Sequence, residues 1–380
     1  MLPQLLNKEL MTTPTFKVSS FDSSAGVFNS PPEVVVLSQL LLSPTPETEI
    51  QPEALRSETL DKMLALAQSH HVLMRALPIY TQIEWQKDRA AWACDALNRE
   101  QARVENAVGF LARICTVFEE NQRDVTVIKS LDHWPDLGSD LDLYTNSEPR
   151  KIIDLMKARF NARLAPRSWG DRLANKWNFI VPGLPELVEI HMGRLGQTGE
   201  HVVFANGLAA RARQLQLAEK TFRVASPEDR LMICTLQRMY RHFYARLCDI
   251  FDTLHLLEND PIGVDYEKLR DTASQAGIWE GTATFLVIVS DYVRTYRGFG
   301  IELPRWVRSS AKFNADQVYF RNGFLRISIA PHSMKLYASQ LTSMLLHGHV
   351  ASTARLSLLP CLAVAAAAGQ KITGSDKGIW

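Results

Sequence analysis

Two aspartates, Asp140 and Asp142, alternate with Leu141 and Leu143 in the stretch SDLDLYT. In a strand, alternate side chains share a face, so both carboxylates point one way and both leucines the other. Aspartate is disfavoured in strands. Two of them about 5–6 Å apart, at an effective dielectric of about 20, repel by roughly 3 kcal/mol. A divalent cation between them removes that repulsion. Hard oxygen ligands with few protein donors suit Mg²⁺ or Mn²⁺, with water and substrate phosphate filling the remaining positions. A third acid stands in LVEIH, where Glu189 shares a face with His191 while Val188 and Ile190 face the core. If the two strands are neighbours, Asp140, Asp142 and Glu189 converge. Such a set can hold two metal ions about 3.5–4 Å apart, which would activate an attacking hydroxyl and stabilise a leaving pyrophosphate.

Other side chains could serve the same chemistry, each with a plainer reading beside it. Lys129, at a strand end, can reach phosphates as a point charge or stay solvated. Gly138 and Ser139 can let backbone approach a phosphate, or simply make a turn. His191 can orient a ligand, donate to phosphate, or be satisfied by a neighbour. Arg238, Arg241, His242 and Arg246 share one face of a helical stretch, as a triphosphate clamp or a solvated basic face. Asp249 and Asp252 follow on the same stretch and can pair with those arginines.

Gly138-Ser139-Asp140-Leu141-Asp142-Leu143 resembles the Gly-Ser and Asp-x-Asp signature of the polymerase-β-type nucleotidyltransferase superfamily. The wider context is similar to the uncharacterised bacterial nucleotidyltransferases with a helical N-terminal region. There a strand ending in Lys-Gly comes first, matched here by Lys129-Ser130. A strand reading acid-x-His follows, matched by Glu189-Ile190-His191. Next comes a helix opening Ser/Pro-Glu-Asp, matched by SPEDRLMICTLQ and continued in LCDIFDTLHLLEND. The resemblance spans roughly residues 60 to 260. It implies Mg²⁺-dependent transfer of a nucleoside monophosphate from an NTP to an acceptor hydroxyl or phosphate. Asp140, Asp142 and Glu189 would be metal-binding and catalytic. Lys129, Ser130, Gly138, Ser139, His191, Arg238 and Arg241 would face the nucleotide. The acceptor is open: a small molecule, saccharide, protein or RNA. Two alternatives stand beside this reading: a catalytically inactive nucleotide-binding or regulatory relative, and a toxin-like transferase acting on tRNA.

These residues need a scaffold. Apolar spacings of three and four at Leu60, Met63, Leu64 and Ala67, and at Val108, Leu111, Ile114, Cys115 and Phe118, predict helices up to about residue 121. DVTVIK, LDLYT, WNFIV and LVEIH read as strands, the last two separated by PGLPE. Ser147 with Glu148 and Pro149 predicts a helix start. After LVEIH two helical stretches are expected, the second opening at Ser226-Pro227. Its apolar seam runs from Leu236 through Tyr240, Phe243, Leu247, Ile250 and Leu254 to Leu257. QVYF and FLRISI predict a hairpin around Asn322-Gly323. The expected fold is α+β, a small mixed β-sheet nucleotidyltransferase core flanked by helical N- and C-terminal segments. The expected divisions are a Ser/Thr/Pro-rich extension (1–52) whose patch VVVLSQLLL docks as a short helix or strand, a helical N-terminal region (53–122), the core (123–200), a helical region (201–300), and a C-terminal hairpin and helical segment (301–380).

Lys and Arg total 42 against 41 for Asp and Glu, a net charge of +1, which argues against a surface given over to nucleic acid or anionic membrane. Five cysteines without CxxC spacing favour buried thiols in a reducing compartment. No stretch reads as a signal peptide or membrane span, so a cytoplasmic chain without stable membrane insertion is expected. Arg305, Arg308, Lys312, Trp306 and Phe313 mix basic and aromatic residues in the manner of a nucleic-acid surface. MKLYASQLTSMLLHGHV reads as an amphipathic helix, for a partner or membrane surface or for packing on the core.

Overall fold

The computed structural model describes residues 30–46, 57–82, 90–217, 219–260, 263–321 and 323–373. Helix and strand are mixed, as the α+β expectation requires. At the centre is a seven-stranded sheet of β1 (Thr126–Val127), β2 (Asp140–Thr145), β3 (Arg163–Leu164), β4 (Lys176–Ile180), β5 (Leu187–Met192), β6 (Arg213–Leu217) and β7 (Lys220–Val224). Their spatial order is β3-β4-β5-β2-β1-β7-β6. β2 runs parallel to β5 and β1 parallel to β7; the other pairs are antiparallel.

The expected strand DVTVIK is ladder-paired over only two residues, and the sheet is larger than expected. β6 and β7 lie in the stretch 201–226 that was expected to be helical, after a helix at Val202–Arg211. Leu, Gln, Ala, Glu and Lys are all good helix formers, yet Leu215 and Leu217, and Phe222 and Val224, recur at period two. That is the pattern by which β6 and β7 pack onto the sheet core. Tertiary burial outweighs intrinsic propensity here.

One apolar core lies under the sheet. The helix Ala90–Glu120 supplies Val104, Leu111, Ile114 and Phe118, the helix Pro149–Phe160 supplies Ile152 and Met156, and the strands supply Leu141, Leu143, Val188 and Ile190. That second helix opens within the expected start, with Pro149 at its first position. Glu148 is its N-cap, without a side-chain capping bond, and Asn161 closes it in the left-handed region.

A second core is helical. It gathers the helices Pro32–Leu42, Ser57–Ser69, Leu73–Gln82, Pro227–Gln237, Leu247–Glu258, Tyr266–Gln275 and Trp279–Arg297. The VVVLSQLLL patch is therefore a docked helix, with Val34, Val36, Leu37, Leu40 and Leu42 buried. Most of the extension around it lies outside the described residues. Ser226 caps its helix by accepting the Asp229 N–H at 3.2 Å, with Pro227 at the first helical position.

The single long seam from Leu236 to Leu257 is broken. A π-helical turn at Arg238–His242 leads to Phe243 at φ 56°, and then to β8 (Tyr244–Ala245). β8 joins β9 (Val318–Arg321) and β10 (Phe324–Ile327) in a three-stranded sheet ordered β8-β10-β9. Leu236, Tyr240, Leu247, Ile250 and Leu254 are buried as the seam requires. The helix is interrupted because β10 pairs with Tyr244 and Ala245. β9 and β10 form the expected hairpin, with Arg321 opposite Phe324; Asn322 lies outside the described residues.

The basic-aromatic group at 305–313 is packed. Trp306 lies against Trp279 at 5.6 Å, Phe313 is buried, and Arg308 donates to the Ser290 hydroxyl and the Ile301 carbonyl. The helix Met334–Leu346 docks through Leu336, Gln340 and Met344. All five cysteines are free; Cys115 and Cys248 are buried, whereas Cys94 and Cys361 are exposed rather than buried. Among the described residues no helix is long and apolar enough to cross a membrane.

Candidate active site

The parallel pairing of β2 and β5 sets Asp142 opposite Glu189, Asp140 opposite Leu187 and Tyr144 opposite His191. Because side chains alternate, Leu141, Leu143, Val188 and Ile190 are fully buried on the core face. Asp140, Asp142, Glu189 and His191 take the other face. Asp142, Glu189 and His191 each place a potential ligand atom within 4.8 Å of the other two. Asp140 sits nearer the mouth, with its carboxylate accepting from the Ser139 hydroxyl at 3.3 Å.

Two lysines serve these acids. Lys129 Nζ contacts Asp142 Oδ1 and lies 3.6 Å from Glu189 Oε1, so it bridges the two carboxylates. Lys176 on β4, opposite His191 across the antiparallel ladder, bridges Glu189 at 2.9 Å and Asp171 at 2.8 Å. Asp171 is itself fixed by a reciprocal capping box with Ser168. Ser130 pins the strand, since its hydroxyl accepts the Asp142 N–H at 2.6 Å and reaches the Asp140 carbonyl at 3.4 Å. A Cβ on Gly138 would meet its neighbours only at 3.9 Å, so packing there does not demand glycine.

The environment drives the coupled acids apart. Burial pushes Asp142 up to about 7, against the pull of Lys129 and with the repulsion of Glu189. Burial also opposes charge on Glu189, but Lys129, the His191 hydrogen bond and Lys176 outweigh it and hold Glu189 well below the usual carboxylate range. Asp140 is raised by burial and by Glu189. His191 is lowered to about 4 by burial. A neutral imidazole donating Nε2–H to Glu189 Oε1 at 2.9 Å fits that shift.

Facing the acids across a cleft of about 290 Å³ is a basic wall of Arg238, Arg241 and Arg246, with His71, His133 and His242 beside it. Burial and the neighbouring arginines push the His242 pKa down to about 2, so it adds no charge. The π turn and β8 create this wall by breaking the helix that would have spread these residues along its surface. Lys129, Ser130, Gly138, Ser139, Asp140, Asp142, Glu189, Arg238 and Arg241 all line the one cleft. His191 opens instead onto an adjoining, smaller cavity with Leu195, Leu236 and Tyr240. Arg238 is buried in close charge contact with Asp249 at 2.7 Å, so it is neutralised within the wall.

Sequence reading missed Lys176, His71 and His133. Lys176 sits at the edge of WNFIV, and only the register of β4 on β5 shows which acid it meets. His133 lies in the turn before β2, with Nδ1 against Asp252 of the helix Leu247–Glu258. His133, Cys248 and Asp252 also bring one potential ligand atom each within 4.8 Å. Arg75 is already 2.6 Å from the other Asp252 oxygen, and it pairs with Asp136 at 2.9 Å. We therefore read this cluster as a hydrogen-bonded joint between the cores rather than a metal centre.

Neither the known protein-family models nor the curated proteins contain a match to this chain.

Proposed function

We propose that the chain is a Mg²⁺-dependent nucleotidyltransferase that moves a nucleoside monophosphate from an NTP to an acceptor hydroxyl or phosphate. The observation that carries this reading is the pairing of Asp142 with Glu189 on parallel strands, with Asp140 at the mouth and a basic wall opposite. The donor set fits a hard divalent cation. The carboxylates are buried and mutually repelling, and a cation, Lys129 Nζ, already bridges two of them. Asp142 and Glu189 would hold the ion with Asp140. Bound there, it would supply charge neutralisation for the phosphates and activation of the acceptor hydroxyl.

The chain's own residues do the rest. Lys176, locked by Asp171, keeps Glu189 ionised and oriented. Ser130 fixes the backbone at Asp142. Lys129, which bridges Asp142 and Glu189 and lines the cleft, would turn to a substrate phosphate when a divalent ion takes its place between the carboxylates. Arg241 provides a second cation across the cleft.

Pyrophosphate release from each NTP, assayed with a broad acceptor panel, tests the reading. Wild-type turnover should fall by about 100-fold or more in Asp142→Asn and Glu189→Gln. Undiminished turnover in both variants would end it. The Lys129 bridge also favours a second reading, a nucleotide-binding relative without turnover in which the lysine permanently replaces the metal. Calorimetric NTP binding with no pyrophosphate release would select that one.

A further inference from the structure

The basic wall is not uniform. Arg238 is satisfied by Asp249, whereas Arg246 has no carboxylate within ion-pair distance among the described residues. Its Nη1 bonds only the His71 Nε2, at 2.7 Å, and its Nε is buried without a hydrogen-bond partner. His71 is a poor neutraliser, since burial, His133 and Arg246 push its pKa down to about 2. A part-buried guanidinium served by a neutral ring retains an unmet demand for an anion.

His133 stacks on His71 at 5.6 Å and lines the same cleft. Asp252 takes its Nδ1, and Cys248 is a second side-chain hydrogen-bond partner of the ring. Burial alone would lower this imidazole, but Cys248 and Asp252 outweigh it and hold its pKa well above the ordinary value. Arg246 and His133 thus line the same cleft, joined through His71, with His133 in the turn that leads to the Asp140 strand. Arg75 and Asp136 fix the joint behind them.

We propose that Arg246 and His133 form a phosphate-binding subsite for the terminal phosphates of a nucleoside triphosphate. This rests on the transferase reading for the identity of the ligand; it singles out Arg246 within the basic wall and adds His133 to it. In this arrangement the scissile α-phosphate lies toward Asp140 and Asp142, and the leaving pyrophosphate lies against Arg246 and His133. His71 acts as a positioning residue that holds the Arg246 fork.

Calorimetric titration of the full chain in Mg²⁺ buffer tests the subsite without requiring turnover. The probes are inorganic pyrophosphate, ATP and AMP. Arg246→Ala and His133→Gln should each bind pyrophosphate and ATP about tenfold more weakly than wild type, with AMP affinity unchanged. If His133→Gln fails to fold, Arg246→Ala carries the test, because Arg246 leaves no acid unpaired. Wild-type pyrophosphate affinity in a folded Arg246→Ala, an equal loss of AMP binding, or no pyrophosphate binding by the wild type would overturn the subsite. Pyrophosphate bound through Arg246 by a chain that turns over no NTP would instead overturn the transferase reading and leave the subsite standing.

Discussion

Lys129 is a cation placed where two buried carboxylates need one, bridging Asp142 and Glu189. A strand-end lysine was legible in the sequence as a phosphate contact or a solvated residue. Its direction was not, because that depends on the register of β2 on β5. Removing its charge leaves two acids about 90% buried with less compensation. Breaking a buried ion pair in this way typically costs about 3–5 kcal/mol. Lys129→Met should therefore unfold at a markedly lower temperature in metal-free buffer. Millimolar Mn²⁺ should restore more stability to this variant than to the wild type. Equal metal effects on both, measured by thermal denaturation, would show that the lysine does not stand in for a divalent ion.

At the scale of elements, His70 shows how helices are fixed to the small sheet. Its Nε2 meets the Gly323 carbonyl at 2.7 Å, and its Nδ1 accepts the Leu247 N–H at 2.8 Å. One neutral ring thus ties the helix Ser57–Ser69 to the β9–β10 turn and to the start of the helix Leu247–Glu258. Burial lowers its pKa from 6.5 to about 4. The unfolded chain binds a proton below 6.5 that the folded chain refuses until about 4. The contribution of His70 is therefore complete above pH 6.5 and is lost as pH falls from 6.5 toward 4, by at most about 1.4 kcal/mol per pH unit. Denaturant titrations of wild type and His70→Asn at pH 7, 6 and 5 should give a shallower loss of stability on acidification for the variant. Parallel slopes would remove His70 from the account.

Elements also show what the sequence left hidden. Period two in SDLDLYT and LVEIH was enough to find the face carrying Asp140, Asp142, Glu189 and His191, since a strand with one buried side can be read in only one phase. The stretch RQLQLAEKTFRV carries the same period, but its helix-forming composition masked it. The seam from Leu236 to Leu257 marked the buried positions well and the connectivity badly. Helical spacing reports which side chains face inward, and says nothing of a neighbouring strand that can claim Tyr244 and Ala245. The basic wall was visible only as a row of arginines because the break that gathers it depends on that distant pairing.

Over the whole molecule, two apolar cores meet at a charged boundary. Arg75 with Asp136 and Asp252, Arg230 with Asp132, and His133 with Asp252 span that boundary beside the cleft. The near-zero net charge thus conceals acids on one wall and bases on the other. The helix Pro32–Leu42 belongs wholly to the helical core, where the Ser38 and Tyr292 hydroxyls meet at 2.6 Å across 254 residues of chain. It sits as a plug in that core. A shortened chain starting at residue 44 would carry an open apolar slot and should aggregate on expression. A synthetic peptide spanning residues 30–43, added in trans, should re-enter the slot and return the fragment to a dispersed state, as light scattering would show. The same plug thus offers a place to divide the chain into two complementing pieces without cutting through the cleft.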